Sequence, residues 1–288
     1  MSEIVLVMPE QRSTLTDELA ATLSHELGRQ DVPARASPGG FPADRLGQVH
    51  ILIEPQLWLR ERGAAPAAAV LRRTIVLLER TPAAGDEALL ELLDGAGAVF
   101  VSDSRQAVSL RRISDLQPRV LRPGYSDWLD RFDPDIDRDL DVFVIGGDAG
   151  YLDGVAPSLA GRAGAIAERG QSRLQALSRT KVAINLHAGA ESQLEFRQVL
   201  DAIHCGAVVV SEHSDGISPL EVGEHLLVGA RESLPLLADA LLRDPGRLAR
   251  MRVAAYERLR TWMPYALAVS VLRAAIVELV GEPVASGG

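Results

Sequence analysis

One cysteine, Cys205, stands among 288 residues, which excludes an internal disulfide and leaves the fold to be held by packing. It lies in an apolar helix-to-strand turn, where a small buried side chain is the usual occupant. Basic charge is also short: 30 Lys and Arg face 39 Asp and Glu, for a net charge of −9. A surface of that sign repels phosphate backbones, so no nucleic-acid partner is expected, and a small anion must be gripped by individual cationic side chains. Aromatics make up only 4% of the chain, and Trp58, Trp128 and Trp262 are too scattered to build a stacking platform. No apolar run reaches the roughly 20 residues of a membrane span. The N-terminus opens on an acidic residue and a short strand-like run, so a cytoplasmic protein of a reducing compartment is expected. The six histidines show no metal-ligand spacing, and neither a P-loop nor a G-x-S-x-G elbow occurs. No metal and no resident cofactor is expected.

What is present is an α/β pattern. At 288 residues and 47% hydrophobic, the chain fits two domains of ordinary size. Short apolar runs alternate with longer amphipathic segments, the pattern of βαβ units. Glu3 to Met8, Val49 to Ile53, Thr74 to Leu78 and Ala98 to Ser102 read as four parallel strands. Helices are expected over Leu15 to Arg29, Ala64 to Arg73 and Asp86 to Leu93, while Ser37 to Gly40 and Pro42 read as a loop. Residues 116–138, rich in proline and aspartate, read as a linker closing a first domain over 1–138. A second domain over 139–263 is expected from strands at Asp141 to Ile145, Val182 to Leu186, Ala207 to Val210 and His225 to Val228. Helices over Arg173 to Ser178, Leu194 to His204, Leu234 to Leu242 and Arg247 to Trp262 go with them. Residues 264–288 hold a final helix, apolar on most of its surface, and a tail. Such a helix needs cover on two sides, from the first domain or from a second copy in a homodimer.

In an open α/β sheet ligands bind beyond the carboxyl ends of the strands. That rule singles out Asn185 and His187 after one strand, and Glu212, His213 and Ser214 after the next. Asn185 and His187 are two apart and so project to one side. Gly146 and Gly147 follow the opening strand of the second domain and offer close backbone approach to a phosphate. Glu195 and Arg197 stand at a helix start, where an arginine reaches anions, and Asp201 lies further along the same helix as an acceptor for ribose hydroxyls. On the first domain Glu10, Glu54, Glu79, Asp103 and Ser104 all follow strands, and Glu79 is the first choice for a general base.

The segment from Lys181 to Val228 carries KVAINLH, then E-F-R, DAIHCGAVVVSE and GEHLLV. With Leu78-Glu79-Arg80, Val101-Ser102-Asp103-Ser104, Leu121-Arg122-Pro123-Gly124-Tyr125 and the strand from Asp141 to Gly146, it resembles the GT-B nucleotide-sugar glycosyltransferases of the spore-coat-maturation type. The resemblance implies two Rossmann-like domains facing across a cleft, with a last helix crossing back to the first domain. It implies metal-independent transfer of a sugar from a UDP- or GDP-linked donor to an acceptor hydroxyl. Glu79 and His187 are the catalytic candidates, and Gly146, Gly147, Asn185, Glu195, Arg197, Asp201, Glu212, His213 and Ser214 the donor-binding ones. Gln193 and Asp201 occupy the positions of the family's E-x7-E pair, and only helix-like sequence separates Gly146 from Lys181, so the second domain reads as shortened. A catalytically reduced binding or scaffold protein of the same fold is therefore the alternative, with an epimerase- or phosphorylase-like enzyme behind it.

Overall fold

The computed structural model describes residues 3–43, 47–82, 86–146, 171–187 and 196–281. In chain order its elements begin with β1 (Ile4–Met8), α1 (Thr14–Gly28), β2 (Ala34–Pro38), β3 (His50–Ile53) and α2 (Pro55–Arg62). There follow α3 (Ala68–Leu71), β4 (Thr74–Leu78), α4 (Glu87–Gly95), β5 (Ala98–Val101), α5 (Ser104–Ile113), β6 (Arg119–Val120) and β7 (Leu140–Gly146). The remainder comprises α6 (Gln171–Ser178), β8 (Thr180–Leu186), α7 (Phe196–His204), β9 (Val208–Glu212), β10 (Leu226–Gly229), α8 (Leu234–Leu242), α9 (Pro245–Trp262) and α10 (Tyr265–Gly281). They divide into two units, Met1–Arg122 with Tyr265–Gly288, and Pro123–Pro264.

The first unit is a parallel sheet of order β2-β1-β3-β4-β5-β6. Its central strands bury every residue, as a sheet covered on both faces must. Alternate residues serve the two faces: Ile4, Leu6 and Met8 pack with Leu23 and Leu27 of α1, whereas Val5 and Val7 pack with Leu89, Leu92 and Leu93 of α4. Helix α10 joins the first of these layers and contacts α1. Its Val269, Leu272, Ile276 and Leu279 are all buried. At roughly 1.5–3 kcal/mol for each buried aliphatic side chain, that seam contributes on the order of 6–12 kcal/mol, an upper estimate. The last helix thus returns to the unit in which the chain began.

Several elements here depart from the sequence reading. Strand β2 occupies the segment read as a loop around Ser37; it is an edge strand, Ala-Arg-Ala-Ser-Pro, with no buried residue and its proline at the end. Helix α2 starts at Pro55 directly after Glu54, whose φ of 53° turns the chain sharply out of β3. The helix expected over Ala64 to Arg73 is confined to the single turn of α3.

The second unit is a parallel sheet of order β10-β9-β8-β7. One face is packed by α7 and α9 through Val199, Ile203, Ala255 and Leu259, the other by α8 and α9 through Leu234, Ala238, Leu241, Leu248 and Met251. Where the chain enters and leaves this unit the two strands touch: the Tyr125 N–H donates to the Met263 carbonyl at 2.6 Å. Tyr125 and Tyr256 both donate their hydroxyls to Asp130, at 2.8 and 2.7 Å, and Tyr125 stacks on the buried His204. Below them the Arg138 guanidinium donates to the carbonyls of Ser178, Thr180 and Cys205. Burial pushes Arg138 down to about 10, with the neighbouring Arg252 lowering it further and Asp133 only partly opposing the shift. No helix of the described residues is long and apolar enough to cross a membrane.

Candidate functional site

The carboxyl ends of β8 and β9 carry one connected polar cluster, and its register explains why. Asn185 of β8 pairs with Ser211 of β9, so their side chains stand next to each other on one face of the sheet. The Asn185 amide donates to Ser211 Oγ at 3.0 Å, and both residues are fully buried. Ser211 Oγ lies 3.4 Å from Ser214 Oγ, and Ser214 Oγ lies 3.0 Å from His187 Nε2. The Ser214 hydroxyl donates to the Glu212 carbonyl at 2.7 Å, closing the turn after β9. The Glu212 carboxylate accepts the His187 backbone N–H at 2.6 Å, and its other oxygen lies 3.4 Å from Arg231 Nε. Five of the residues selected by the strand-end rule, Asn185, His187, Glu212, His213 and Ser214, are therefore in one place.

Asn185 Oδ1 and His187 Nδ1 of this cluster are shut off from solvent and have no hydrogen-bond partner among the described residues. An unmet buried acceptor costs about 1–3 kcal/mol, so folds keep such atoms sparingly. Both lie at the sheet edge where open α/β proteins hold ligands.

The other sequence candidates separate from this cluster. Gly146 ends β7 and pairs with Leu186 at the same edge, while Gly147, Glu195 and Gln193 lie outside the described residues. Arg197 stands half-buried in the first turn of α7. Asp201 is buried and paired with Arg173 of α6 at 2.7 Å. Its carboxylate is thus engaged within the protein. In the first unit Glu79 is exposed just beyond β4. Its neighbours along that edge have local duties: Asp103 caps α5 by accepting from the N–H groups of Arg105 and Gln106 at 2.8 and 2.9 Å, and Glu10 lies 3.3 Å from the Arg62 guanidinium. Ser104 opens α5, and Glu54 precedes α2.

Arg231 and Arg173 were not among the sequence candidates. Arg231 follows β10 by two residues and obeys the rule that chose the others, so its position was readable. Arg173 was not, because its meeting with Asp201 depends on how α6 packs on α7.

No protein-family model matches the chain, and no curated protein matches it. Solved structures do. HepE of Anabaena, in complex with UDP and glucose, superposes with a TM-score of 0.69 at 11% identity, over 96% of this chain and 100% of that one. Sucrose-phosphate synthase of Thermosynechococcus elongatus gives 0.62 at 11% identity, over 96% and 99%. An alpha-glucosyltransferase in complex with UDP and a DNA 13-mer gives 0.64 at 9% identity, over 96% and 99%. At these identities the likeness establishes the fold. The chain has the GT-B-like fold: two Rossmann-like α/β units, with a C-terminal helix returned to the first.

Proposed function

We propose that the protein is a nucleotide-sugar-dependent glycosyltransferase of the spore-coat-maturation type that holds its donor on the second unit. The observation that carries this reading is the polar cluster joining Asn185, Ser211, Ser214, His187 and Glu212 at the carboxyl edge of β8 and β9. Its support from comparison is that HepE and the alpha-glucosyltransferase, which share the fold, were solved with UDP bound. The acceptor hydroxyl oxygen attacks the anomeric carbon, the bond from that carbon to the phosphate oxygen breaks, and the nucleoside diphosphate leaves with the electron pair. The hydroxyl proton goes to a carboxylate, for which Glu79 is the candidate. No metal is invoked: Arg197 and Arg231 are the cations assigned to the diphosphate, with the backbone at Gly146 and Gly147 beside them. Asn185, His187, Glu195, Glu212, His213 and Ser214 complete the donor contacts. The donor is UDP- or GDP-linked, and the acceptor is an unspecified hydroxyl.

A second reading has its own observation. Asp201, read from its helix position as an acceptor for ribose hydroxyls, is taken up by Arg173, and Gln193 stands where the family has an acid. On that reading the protein is a binding or scaffold molecule that has lost turnover. Calorimetric titration of the full chain with UDP, GDP, UDP-glucose and GDP-mannose, followed by a donor-hydrolysis assay, separates the two. Binding with slow release of nucleoside diphosphate is expected. Absence of binding by all four ligands overturns the transferase reading, and binding with no release supports the second.

A further inference from the structure

The hydrogen bonds around His187 fix which of its ring nitrogens carries the proton. Ser214 has one hydroxyl hydrogen, and it is committed to the Glu212 carbonyl at 2.7 Å, where only a donor can sit. Towards His187 Nε2, 3.0 Å away, Ser214 Oγ therefore acts as acceptor. The His213 carbonyl, 3.3 Å from the same nitrogen, can do nothing else. Two acceptors converge on Nε2, so Nε2 bears the hydrogen and the neutral ring presents a bare lone pair at Nδ1. That lone pair has no partner among the described residues and is shielded from water. Asn185, two residues earlier, is in the same position: its amide nitrogen donates to Ser211 and its Oδ1 is unmet among the described residues.

We infer that Ser214 and the His213 carbonyl lock His187 as the Nε2–H tautomer, so that His187 Nδ1 and Asn185 Oδ1 form a matched pair of hydrogen-bond acceptors for ligand hydroxyls. The chemistry of the pair selects its ligand. A diphosphate brings acceptors only and is repelled by two lone pairs; a sugar ring brings hydroxyl donors. The hexose of the donor, and not its phosphates, belongs over the end of β8, and the charged groups must be met by the arginines. Ser214 is then a positioning residue that acts through His187. The assignment of the ligand rests on the glycosyltransferase reading, whereas the tautomer rests on the free protein alone.

The test is nitrogen NMR of the full chain labelled with 15N-histidine, with His187→Gln used to assign the His187 signals among the six histidines. The free protein is expected to show Nε2 protonated and Nδ1 bare. UDP-glucose is expected to shift Nδ1 as it accepts a hydrogen bond, while UDP alone leaves it in place. Ser214→Ala should raise the Nδ1–H population and weaken UDP-glucose roughly fivefold, the loss of about one hydrogen bond, with UDP unaffected. A protonated Nδ1 in the free wild-type protein overturns the inference, and so does a UDP-induced shift as large as that from UDP-glucose. If calorimetry finds that no nucleotide sugar binds, the transferase reading falls, and the free-protein spectrum still decides the tautomer.

Discussion

Arg173 and Asp201 form an ion pair of 2.7 Å between α6 and α7, with the two side chains 13% and 2% exposed. Removing one charge leaves its partner buried and uncompensated, which costs about 3–5 kcal/mol. Asp201→Asn is therefore expected to destabilise the second unit by about 3 kcal/mol, read from urea unfolding with hydrogen exchange of β8 as the local probe. Unchanged stability together with lost UDP affinity would return Asp201 to the ribose.

Gly206 follows the buried Cys205 with a φ of +74°, and a Cβ there would lie 2.4 Å from Arg138 Nη2 and 3.1 Å from Phe132. The guanidinium cannot swing aside without giving up its carbonyl partners at Ser178, Thr180 and Cys205. The backbone penalty alone is roughly 1–2 kcal/mol. Gly206→Ala is expected to cost more than that in a denaturation experiment, and Arg138→Met to be destabilising by itself. An alanine variant as stable as wild type would show that Arg138 is not held as described.

His204 gives the second unit a pH dependence. Its Nδ1 donates to the Leu200 carbonyl at 2.8 Å, and its Nε2 accepts the Ser126 N–H at 3.1 Å, so only the neutral ring fits. Burial lowers its affinity for a proton, a shift that the nearby Asp201 carboxylate only partly opposes. Below the unfolded value of about 6.5 the unfolded chain binds a proton that the native state refuses, so stability falls as pH falls. His225, whose Nδ1 accepts from the Glu221 N–H, is lowered chiefly by burial and acts in the same direction. Stability measured between pH 7.5 and about 5 is expected to drop in wild type and to drop less in His204→Gln. An equal slope in both proteins would assign the effect elsewhere.

The return of α10 to the first unit is testable through Ile276, which is fully buried among the strands and α1. Ile276→Ala is expected to destabilise that unit by about 2–5 kcal/mol. Fluorescence of the buried Trp58 reports the first unit, so its unfolding midpoint should move to lower denaturant. A midpoint that stays put would mean that the seam contributes little.

The strands with continuous apolar runs were legible because full burial leaves its mark on every residue, as in Ile4 to Met8 and Thr74 to Leu78. Edge strand β2 was not, since nothing in Ala-Arg-Ala-Ser-Pro is buried and its place depends on β1 being there to pair with. Helix α2 was hidden for a related reason: only Pro55 and Trp58 are buried in it, too few to show a period. At the site, the rule of strand ends located Asn185, His187 and Glu212. The pairing of Asn185 with Ser211 depends on the register of β8 against β9, and no local pattern states a parallel register. The tautomer of His187 is further still from the sequence, because it follows from which carbonyls the turn at Glu212 to Ser214 turns inward.

The most direct test of the proposed donor site is hydrogen exchange of the full chain with and without a nucleotide sugar, UDP-glucose and GDP-mannose being used in turn. Slower exchange is predicted at the ends of β8 and β9, covering His187 and the segment from Glu212 to Ser214. Protection confined to the first unit, or none with either ligand, would contradict the account.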